Sequence, residues 1–176
     1  MLKQKESILK IANVVCSELQ TYEHRKQLTL IFPMEYLIPL STELKNNPET
    51  NFDMLIDITA IDWNRIKDRF EVVYFLYSNK YKKRLRLKVP IRENEPICPS
   101  IVSIYESANW YERETYDMYG IKFSGHPNLR RFYMPEDYND PETGEPLYPL
   151  RKDFPLMGIP DSLPLPPYPE RYGEPK

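Results

Sequence analysis

The chain lacks most of the short motifs by which proteins bind nucleotides or metal ions. Its first glycine is Gly120, so residues 1–119 contain neither of the glycine-rich loops that cradle phosphate groups. Cysteine and histidine are scarce too, with two of each at Cys16, Cys98, His24 and His126. Four-thiolate iron–sulfur ligation is therefore excluded, and a zinc site would need nearly all of these residues. We expect a chain that binds no metal or cofactor itself, with both cysteines buried.

Charge and hydropathy favour neither a nucleic acid nor a bilayer as partner. The 24 basic and 26 acidic residues give a net charge of −2, without the basic excess of nucleic-acid-binding proteins. No apolar run approaches the roughly 18 residues that a membrane span requires. The opening MLKQKESILK lacks the pattern of a signal or transit peptide and predicts a cytosolic start. We expect no nucleic-acid partner and only an indirect association with a membrane.

Apolar periodicity predicts an α+β fold in the order α-β-α-β-β-β-α, with helices packed on a mostly antiparallel four-stranded sheet. The predicted strands are 28–32, 52–62, 70–78 and 84–91. In the second, one inward face is formed by Phe52, Met54, Ile56, Ile58 and Ala60. Residues 33–48 predict a helix that is interrupted, or restarted, at Pro39. In the last strand the outward residues are basic and predict a solvated or edge-protecting face: Arg84, Arg86 and Lys88.

A long helix is predicted from Pro99 to a left-handed cap at Gly120. The helical wheel places Glu112 within the apolar arc, where burial favours the neutral carboxyl unless a positively charged side chain pairs with it. Arg113 and Asp117, one turn apart, are expected to form a solvated pair on the opposite side. The flank between the two faces holds Glu114 and Trp110, and the tryptophan is typical of a contact residue. The acids diverge around the helix, which is poor geometry for acid–base catalysis.

The C-terminal region differs in composition from the rest of the chain. All five glycines and 12 of the 18 prolines lie in residues 120–176, together with eight aromatic residues and no periodic apolar face. Such a segment orders only against a surface, its own domain's or another protein's. We therefore predict an α+β domain over 1–119 and an extended, proline-rich, partner-wrapping tail over 120–176. The stretch SLPLPPYPE also fits a polyproline ligand for a small adaptor domain, and His126 is expected to be a loop hydrogen-bonder.

The stretch WYERETYDMYGIKFSGHPNLRRFYMPED, followed by PLRKDFPL, resembles the signature of the 30-kDa (C-type) subunit family of respiratory complex I (NADH:quinone oxidoreductase). NFDMLIDITAIDW is similar to the family's strand before an Asp-Trp pair, and the resemblance spans about residues 30–157. A DPETG insert separates the two signature blocks. The resemblance gives these interface and signature residues: Trp110, Glu112, Arg113, Glu114, Asp117, His126, Arg130, Arg131, Pro135, Asp137, Arg151, Asp153 and Phe154.

The resemblance implies a non-catalytic peripheral-arm subunit on the cytoplasmic face of a bacterial inner membrane. It implies that FMN, iron–sulfur clusters and quinone are bound by other subunits of the complex. It also implies that this chain contacts chiefly the large quinone-site (D-type) subunit, with the iron–sulfur (B-type and I-type) subunits nearby. Within that frame, Glu112 is expected to receive a cation, Arg130 or Arg131, that fixes the turn after the helix.

Two alternatives stay open. One is the equivalent subunit of a membrane-bound nickel–iron hydrogenase or of another quinone-linked dehydrogenase complex. The other, more distant, is a free-standing hydrolase that uses Glu112, Asp117 and His126.

Overall fold

A computed structural model describes residues 2–65, 67–92 and 94–154 of the chain. Within them the α-helices are α1 (Leu2–Val15), α2 (Leu37–Asn46) and α3 (Ala108–Tyr119). The strands are β1 (Gln20–His24), β2 (Gln27–Ile31), β3 (Met54–Asp62), β4 (Phe70–Ser78), β5 (Lys83–Ile91), β6 (Ile97–Pro99) and β7 (Lys122–Ser124). A short 3-10 helix, Met34–Tyr36, leads into α2. The predicted α+β class is confirmed.

The main sheet has five strands in the order β1-β2-β5-β4-β3, where the sequence predicted four. All neighbours are antiparallel except β2 and β5, so "mostly antiparallel" is confirmed. The missed strand is β1, whose residues QTYEH are all exposed and show no apolar face. Among the described residues it pairs only with β2, through a tight turn in which Arg25 and Lys26 adopt φ values of 48° and 63°. Hairpin pairing, which hydrophobic alternation does not report, creates this strand.

The core lies between the sheet and the helices. Ile8 and Ala12 of α1 and Leu40 and Leu44 of α2 pack in one cluster with the inward residues of β4 and β5. β4 is central, as predicted, and Tyr74 at its middle is fully buried. The predicted pattern of β5 is confirmed on its apolar side, at Leu85, Leu87, Val89 and Ile91.

The outer side of β5 matches the predicted solvated face only in part, since Arg84 is exposed, Arg86 is half-buried and Lys88 is buried. β5 lies between β2 and β4 and is no edge. Lys88 is buried on the outer face and pairs with Glu71 of β4 at 2.7 Å between Nζ and Oε2. Paired opposite charges across two central strands, rather than solvent, satisfy this lysine.

The alternation predicted for β3 is wrong at its start. The register against β4 shifts between Leu55 and Asp57, which is the mark of a β-bulge. The bulge turns Leu55 inward, 3% exposed, and leaves Met54 47% exposed. Beyond it, Ile58 and Ala60 face the core as expected.

The helix predicted from Pro99 begins only at Ala108. Ile97–Pro99 instead forms β6, which pairs in parallel with β7 directly after α3. Successive turns over 101–107 bury Ile101 and Tyr105 at a spacing that imitates a helix. In α2, Pro39 lies in the first turn, where its missing N–H has no helical partner to lose.

Both cysteines are buried and free, as predicted. The Cys98 thiol lies 3.3 Å from the Tyr74 hydroxyl inside the core. Over the described parts of the chain, no helix is long and apolar enough to cross a membrane. Across those same residues, no cluster of three or more His, Cys, Asp or Glu side chains is arranged to hold a metal ion.

Candidate docking surface

Helix α3 positions most of the signature residues. It packs on β3, where the Thr115 hydroxyl lies within hydrogen-bonding distance, 3.3 Å, of the Ile58 carbonyl oxygen. The helix ends where Gly120 adopts φ +75° and donates its N–H to the Tyr116 carbonyl, which confirms the predicted left-handed cap. Glu112, Arg113 and Asp117 are all buried, so the predicted solvated pair of Arg113 and Asp117 is wrong.

Glu112 is fully buried and accepts two hydrogen bonds. The Ser100 hydroxyl donates to Oε2 at 2.6 Å, and the Ile101 N–H donates to Oε1 at 2.8 Å. Burial raises the pKa of the Glu112 carboxyl to about 7, and the two bonds only partly oppose this. The expected cation, Arg130 or Arg131, is therefore not its partner. The sequence could not indicate Ser100, because the helix predicted from Pro99 would have held Ser100 and Glu112 on one helix, about 18 Å apart along its axis.

Asp117 binds the chain that follows β7. Its Oδ1 accepts a hydrogen bond from Nη1 of Arg131 at 3.0 Å, and both side chains are buried. Its Oδ2 accepts three consecutive backbone N–H groups, from Phe132 at 3.2 Å, Tyr133 at 2.8 Å and Met134 at 3.0 Å. Charge-assisted bonds to a buried carboxylate are strong, so one aspartate fixes the path of these three residues.

Arg113 holds the same segment from the other side. Its Nε donates to the Arg130 carbonyl at 3.2 Å, and its Nη2 lies 3.5 Å from the Arg131 carbonyl. The guanidinium carbon lies 4.9 Å from the ring centroids of both Trp110 and Phe132. Arg113 thus joins α3, the following loop and two aromatic rings through carbonyl and cation–π contacts.

Three aromatic side chains form an exposed cluster around Arg113, which we call the aromatic patch: Trp110, Phe132 and Tyr133. They are 60%, 36% and 57% exposed. The Trp110 and Phe132 centroids are 5.9 Å apart in an edge-to-face arrangement, and those of Phe132 and Tyr133 are 4.1 Å apart. Large aromatic residues exposed together mark interaction sites, and the prediction of Trp110 as a contact residue fits this position.

The second signature block, PLRKDF, lies against the end of α3. Nε of Arg151 donates to the Tyr119 carbonyl at 2.6 Å, and the Leu150 N–H donates to the Met118 carbonyl at 3.1 Å. The Arg151 guanidinium stacks on Tyr148 with 4.3 Å between its central carbon and the ring centroid. A Cβ atom at Gly120 would lie 2.5 Å from Arg151 Nη2 and 2.6 Å from the Tyr148 ring. Glycine is thus required at 120 by contact as well as by conformation.

An ionic cluster joins this block to the sheet. Asp62, at the end of β3, accepts Nε and Nη2 of Arg69 at 3.1 and 2.9 Å, and the Lys152 N–H at 2.8 Å. Arg69 also pairs with Asp153 at 2.8 Å. Burial opposes ionisation of Asp62, but the bonds from Arg69 and the backbone outweigh it and lower its pKa. Asp62 and Arg69 were missed as site residues, although IDW had been noted in the resemblance.

The remaining signature residues have smaller structural roles. Nδ1 of His126 accepts the Asn128 N–H at 3.0 Å and its Nε2 lies 3.1 Å from the Asn109 carbonyl, so the predicted loop hydrogen-bonder is confirmed. Burial lowers the pKa of His126, and the neutral ring suits both contacts. Glu114 is half-buried, and burial followed by the charge of Asp57 raises its pKa. Of the other signature residues, Arg130, Pro135 and Asp137 are exposed and Phe154 is half-buried.

The family model for the 30-kDa subunit of respiratory-chain NADH dehydrogenase matches residues 30–160. The chain belongs to this family. The C-type subunit of NADH-quinone oxidoreductase from Sinorhizobium medicae is 49% identical over 133 residues, which cover 76% of this chain and 62% of that protein. Its counterpart from a Methylobacterium strain is 45% identical over 133 residues, 76% of this chain and 58% of the relative. The chain therefore spans about 60% of the length of these curated relatives.

Two solved structures have a fold similar to that of this chain. One is a trypsin-resistant fragment of Nqo5, with a TM-score of 0.61 and 29% identity, covering 72% of this chain and 99% of the fragment. The other belongs to the membrane-bound sulfane sulfur reductase, an archaeal respiratory membrane complex. Its TM-score is 0.70 at 29% identity, covering 88% of this chain and 87% of that one.

In this 30-kDa family member, the three residues of the hydrolase hypothesis have separate partners. Glu112 contacts Ser100 and Ile101, whereas Asp117 contacts Arg131 and the loop that follows it. His126 contacts the Asn109 carbonyl on the first turn of α3. A groove of about 1190 Å³ lies away from all of them, between the end of α1 and the segment after β5. The buried charges of α3 fix the following loop and expose its aromatic rings. Glu112, Asp117 and His126 do not converge on a common point where a substrate could react.

Proposed function

We propose that the chain is a peripheral-arm subunit of an NADH:quinone oxidoreductase that docks and aligns neighbouring subunits without catalysing a reaction. The observation that carries this proposal is the concentration of buried charge behind one loop. Three buried charged residues bind the backbone of this loop: Arg113, Asp117 and Arg131. The backbone that carries the exposed rings of Phe132 and Tyr133 is therefore held in place. Pre-organised aromatic anchors reduce the entropy lost on association.

The partners in this proposal are the large quinone-site (D-type) subunit and, nearby, the iron–sulfur (B-type and I-type) subunits. FMN, iron–sulfur clusters and quinone would then reside on other subunits, with this chain on the cytoplasmic face of a bacterial inner membrane. Family membership and the names of its relatives, which are C-type subunits of NADH-quinone oxidoreductase, support this assignment.

The division into a domain and a partner-wrapping tail belongs to the same proposal. Within the described part of the tail, Ile121, Phe123 and Arg131 are buried against the domain. Residues 155–176 lie outside the described residues. A neighbour of the same fold was studied as a trypsin-resistant fragment, which supports a protease-accessible region beyond a stable domain in this chain too.

Affinity purification of the tagged chain from detergent-solubilised membranes tests the proposal. The wild-type chain should bring down the quinone-site and iron–sulfur subunits. A Trp110→Ala, Tyr133→Ala double variant should lose them while keeping its thermal unfolding midpoint, because both rings are exposed. Tyr22→Ala is the matched control: Tyr22 is 39% exposed but lies on β1, outside the residues that the family model matches. Equal recovery with both variants would contradict docking through the patch.

A second candidate is the equivalent subunit of another respiratory membrane complex. It is favoured by the likeness to the chain of the sulfane sulfur reductase complex, which covers 88% of this chain. The same purification separates the two. NADH- and FMN-binding subunits in the eluate support the first candidate, and a hydrogenase-type or sulfur-reducing subunit supports the second.

A further inference from the structure

A second exposed pair of a tryptophan and a cation lies in the loop that follows β3. Trp63 is 43% exposed, and the guanidinium carbon of Arg65 lies 4.6 Å from its ring centroid. Arg65 is exposed as well. Tryptophan and arginine are enriched among the few residues that carry most of the binding energy of protein interfaces. A cation–π contact holds the two side chains together, so the pair has the composition of a docking anchor.

The backbone of Trp63 is fixed by hydrogen bonds on both sides. The Trp63 N–H donates to the Arg69 carbonyl at 2.9 Å, and the N–H of Asn64 donates to Oδ1 of Asp62 at 2.8 Å. Asp62 is buried and is bound by the side chain of Arg69. An anchor whose backbone is already ordered loses less conformational entropy when a partner binds.

The same aspartate brings the second signature block to this loop. Oδ2 of Asp62 accepts the Lys152 N–H at 2.8 Å, and the block exposes both Lys152 and Leu150, the latter by 51%. We call the following set the Trp63 surface: Trp63, Arg65, Leu150 and Lys152. The Leu150 N–H donates to the Met118 carbonyl, eight residues or about 12 Å along α3 from Trp110 of the aromatic patch. The two surfaces therefore lie toward opposite ends of one helix.

The Trp63 surface is basic, although the whole chain has a net charge of −2. Residues 62–69 and 150–154 contain five basic and three acidic residues. Two of these acids, Asp62 and Asp153, already pair with Arg69. Among the described residues, neither Arg65 nor Lys152 pairs its side chain with a carboxylate. Both cations are exposed, so a carboxylate of another protein can reach them, and charge complementarity favours an acidic partner segment.

We propose that the Trp63 surface is a second docking site, which receives a segment of a neighbouring subunit that carries a carboxylate for Arg65 and an apolar side chain for Trp63. This inference rests on the proposed function, because the neighbour is a subunit of the same complex. Binding at either end of α3 would raise the effective concentration of the partner at the other end, so two modest contacts would give one firm attachment.

Zero-length cross-linking of the assembled complex tests the chemistry of the partner. A water-soluble carbodiimide joins a carboxylate directly to an amine, so it reports only charges in contact. In the complex purified through a tagged Arg65→Lys chain, the peptide that contains position 65 should be joined to an aspartate or glutamate of another subunit. Lys152 of the wild-type chain provides the same readout without a substitution. Arg84→Lys is the matched control and should form no such cross-link, because Arg84 is exposed but pairs with Tyr77 at the other end of β4.

Charge reversal tests how much the site contributes to assembly. Arg65→Glu places a second carboxylate against that of the partner and should lower the recovery of neighbouring subunits about tenfold in affinity purification at low salt. The loss should become smaller at high salt, because exposed charges are screened. Arg84→Glu changes the net charge equally and should keep the wild-type recovery. The thermal unfolding midpoints of both variants should match that of the wild type, since both arginines are exposed.

The second site would be overturned if position 65 and Lys152 formed no cross-link to another subunit, or only cross-links within the chain or between two copies of it. Equal recovery of neighbouring subunits with Arg65→Glu and with the wild type would also overturn it. In both cases the proposed function stands as long as the wild-type chain recovers its neighbours. A wild-type chain that recovers no neighbouring subunit refutes the proposed function, and this inference with it.

Discussion

Glu112 shows how a buried carboxylate can be satisfied without a cation. It accepts one hydroxyl and one backbone N–H, and both bonds persist in the neutral acid through its remaining lone pairs. The balance between burial and these bonds raises the pKa of the carboxyl from 4.5 to about 7. Burial is the main cause of this raised pKa, and the two hydrogen bonds oppose it only in part.

The raised pKa predicts a pH-dependent stability. Between pH 4.5 and about 7 the folded chain keeps a proton on Glu112 that the unfolded chain has released. The free energy of unfolding therefore falls as pH rises through this window, by roughly 3 kcal/mol in total, and the contribution stays constant above it. Urea unfolding at pH 5 and pH 8 should show most of this loss in the wild type, about 2.5 kcal/mol. In Glu112→Gln, which cannot ionise, the two pH values should differ by correspondingly less; parallel changes in both proteins would refute the assignment.

Asp117 differs from Glu112 in its partners, because one of its oxygens accepts from a buried arginine and the other from three backbone N–H groups. An asparagine there offers one acceptor oxygen and turns an N–H group toward other donors. We expect Asp117→Asn to lower the free energy of unfolding by about 3–5 kcal/mol, because Arg131 is left buried without its partner. Asp137→Asn, an exposed change in the same loop, should stay within about 0.5 kcal/mol. Equal effects in chemical denaturation would show that the loop is not held by Asp117.

At the scale of elements, the sequence predicted those whose signal is local. The apolar pattern of the sequence located β4 and β5, and Gly120 marked the end of α3. Both signals depend only on residues that are close together in the sequence. The sequence failed where pairing between strands, rather than periodicity within one element, decides the structure. Strand β1 exists through its hairpin with β2, and β6 exists because β7 pairs with it across α3.

The candidate site was predictable in composition but not in connection. The signature supplied Arg113, Asp117 and Arg131 as important residues, yet the wheel of α3 placed two of them in solvent. A helical wheel contains no information on tertiary contacts, and here the chain after β7 packs over the side of α3 that carries Arg113 and Asp117 and buries it. Whether a polar helix face is exposed or buried depends on the segment that packs against it. Here that segment lies some 15 residues further along the sequence.

The end of α3 gives an element-scale prediction. Gly120→Ala must hold a left-handed conformation, which costs about 1–2 kcal/mol, and must also displace Tyr148 or Arg151. Gly125 has a similar φ of +83° but nothing within 4 Å of its would-be Cβ, so Gly125→Ala carries only the conformational cost. The free energy of unfolding should fall further in Gly120→Ala, by about 1–3 kcal/mol more.

Trypsin cleavage provides the structural readout for the same pair of variants. Displacing Arg151 breaks its bond to the Tyr119 carbonyl and loosens the segment that carries it. Cleavage after Arg151 or Lys152 should become faster in Gly120→Ala and remain at the wild-type rate in Gly125→Ala. Equal rates in both would mean that contacts at Gly120 do not hold the second signature block.

At the scale of the whole molecule, stability is distributed unevenly between the strands. β4 and β5 are buried, paired on both sides and packed on the core, whereas β1 is exposed along its length and, within the part of the chain that the structure describes, paired only with β2. The family match begins at residue 30 and therefore leaves out β1 as well as α1. Local opening costs least where few buried contacts are lost.

Amide hydrogen exchange on the isolated chain should resolve this gradient. Amides of Tyr74 and Leu87, in the two central strands, should exchange only through global unfolding and be the slowest. Amides of β1 that bond to β2 should exchange orders of magnitude faster through fraying of the hairpin. Slow exchange in β1 would mean that its outer edge is paired with something, since an edge strand offers unpaired N–H and C=O groups to another strand. In that event the protection should vanish on dilution if the partner is a second copy of the chain.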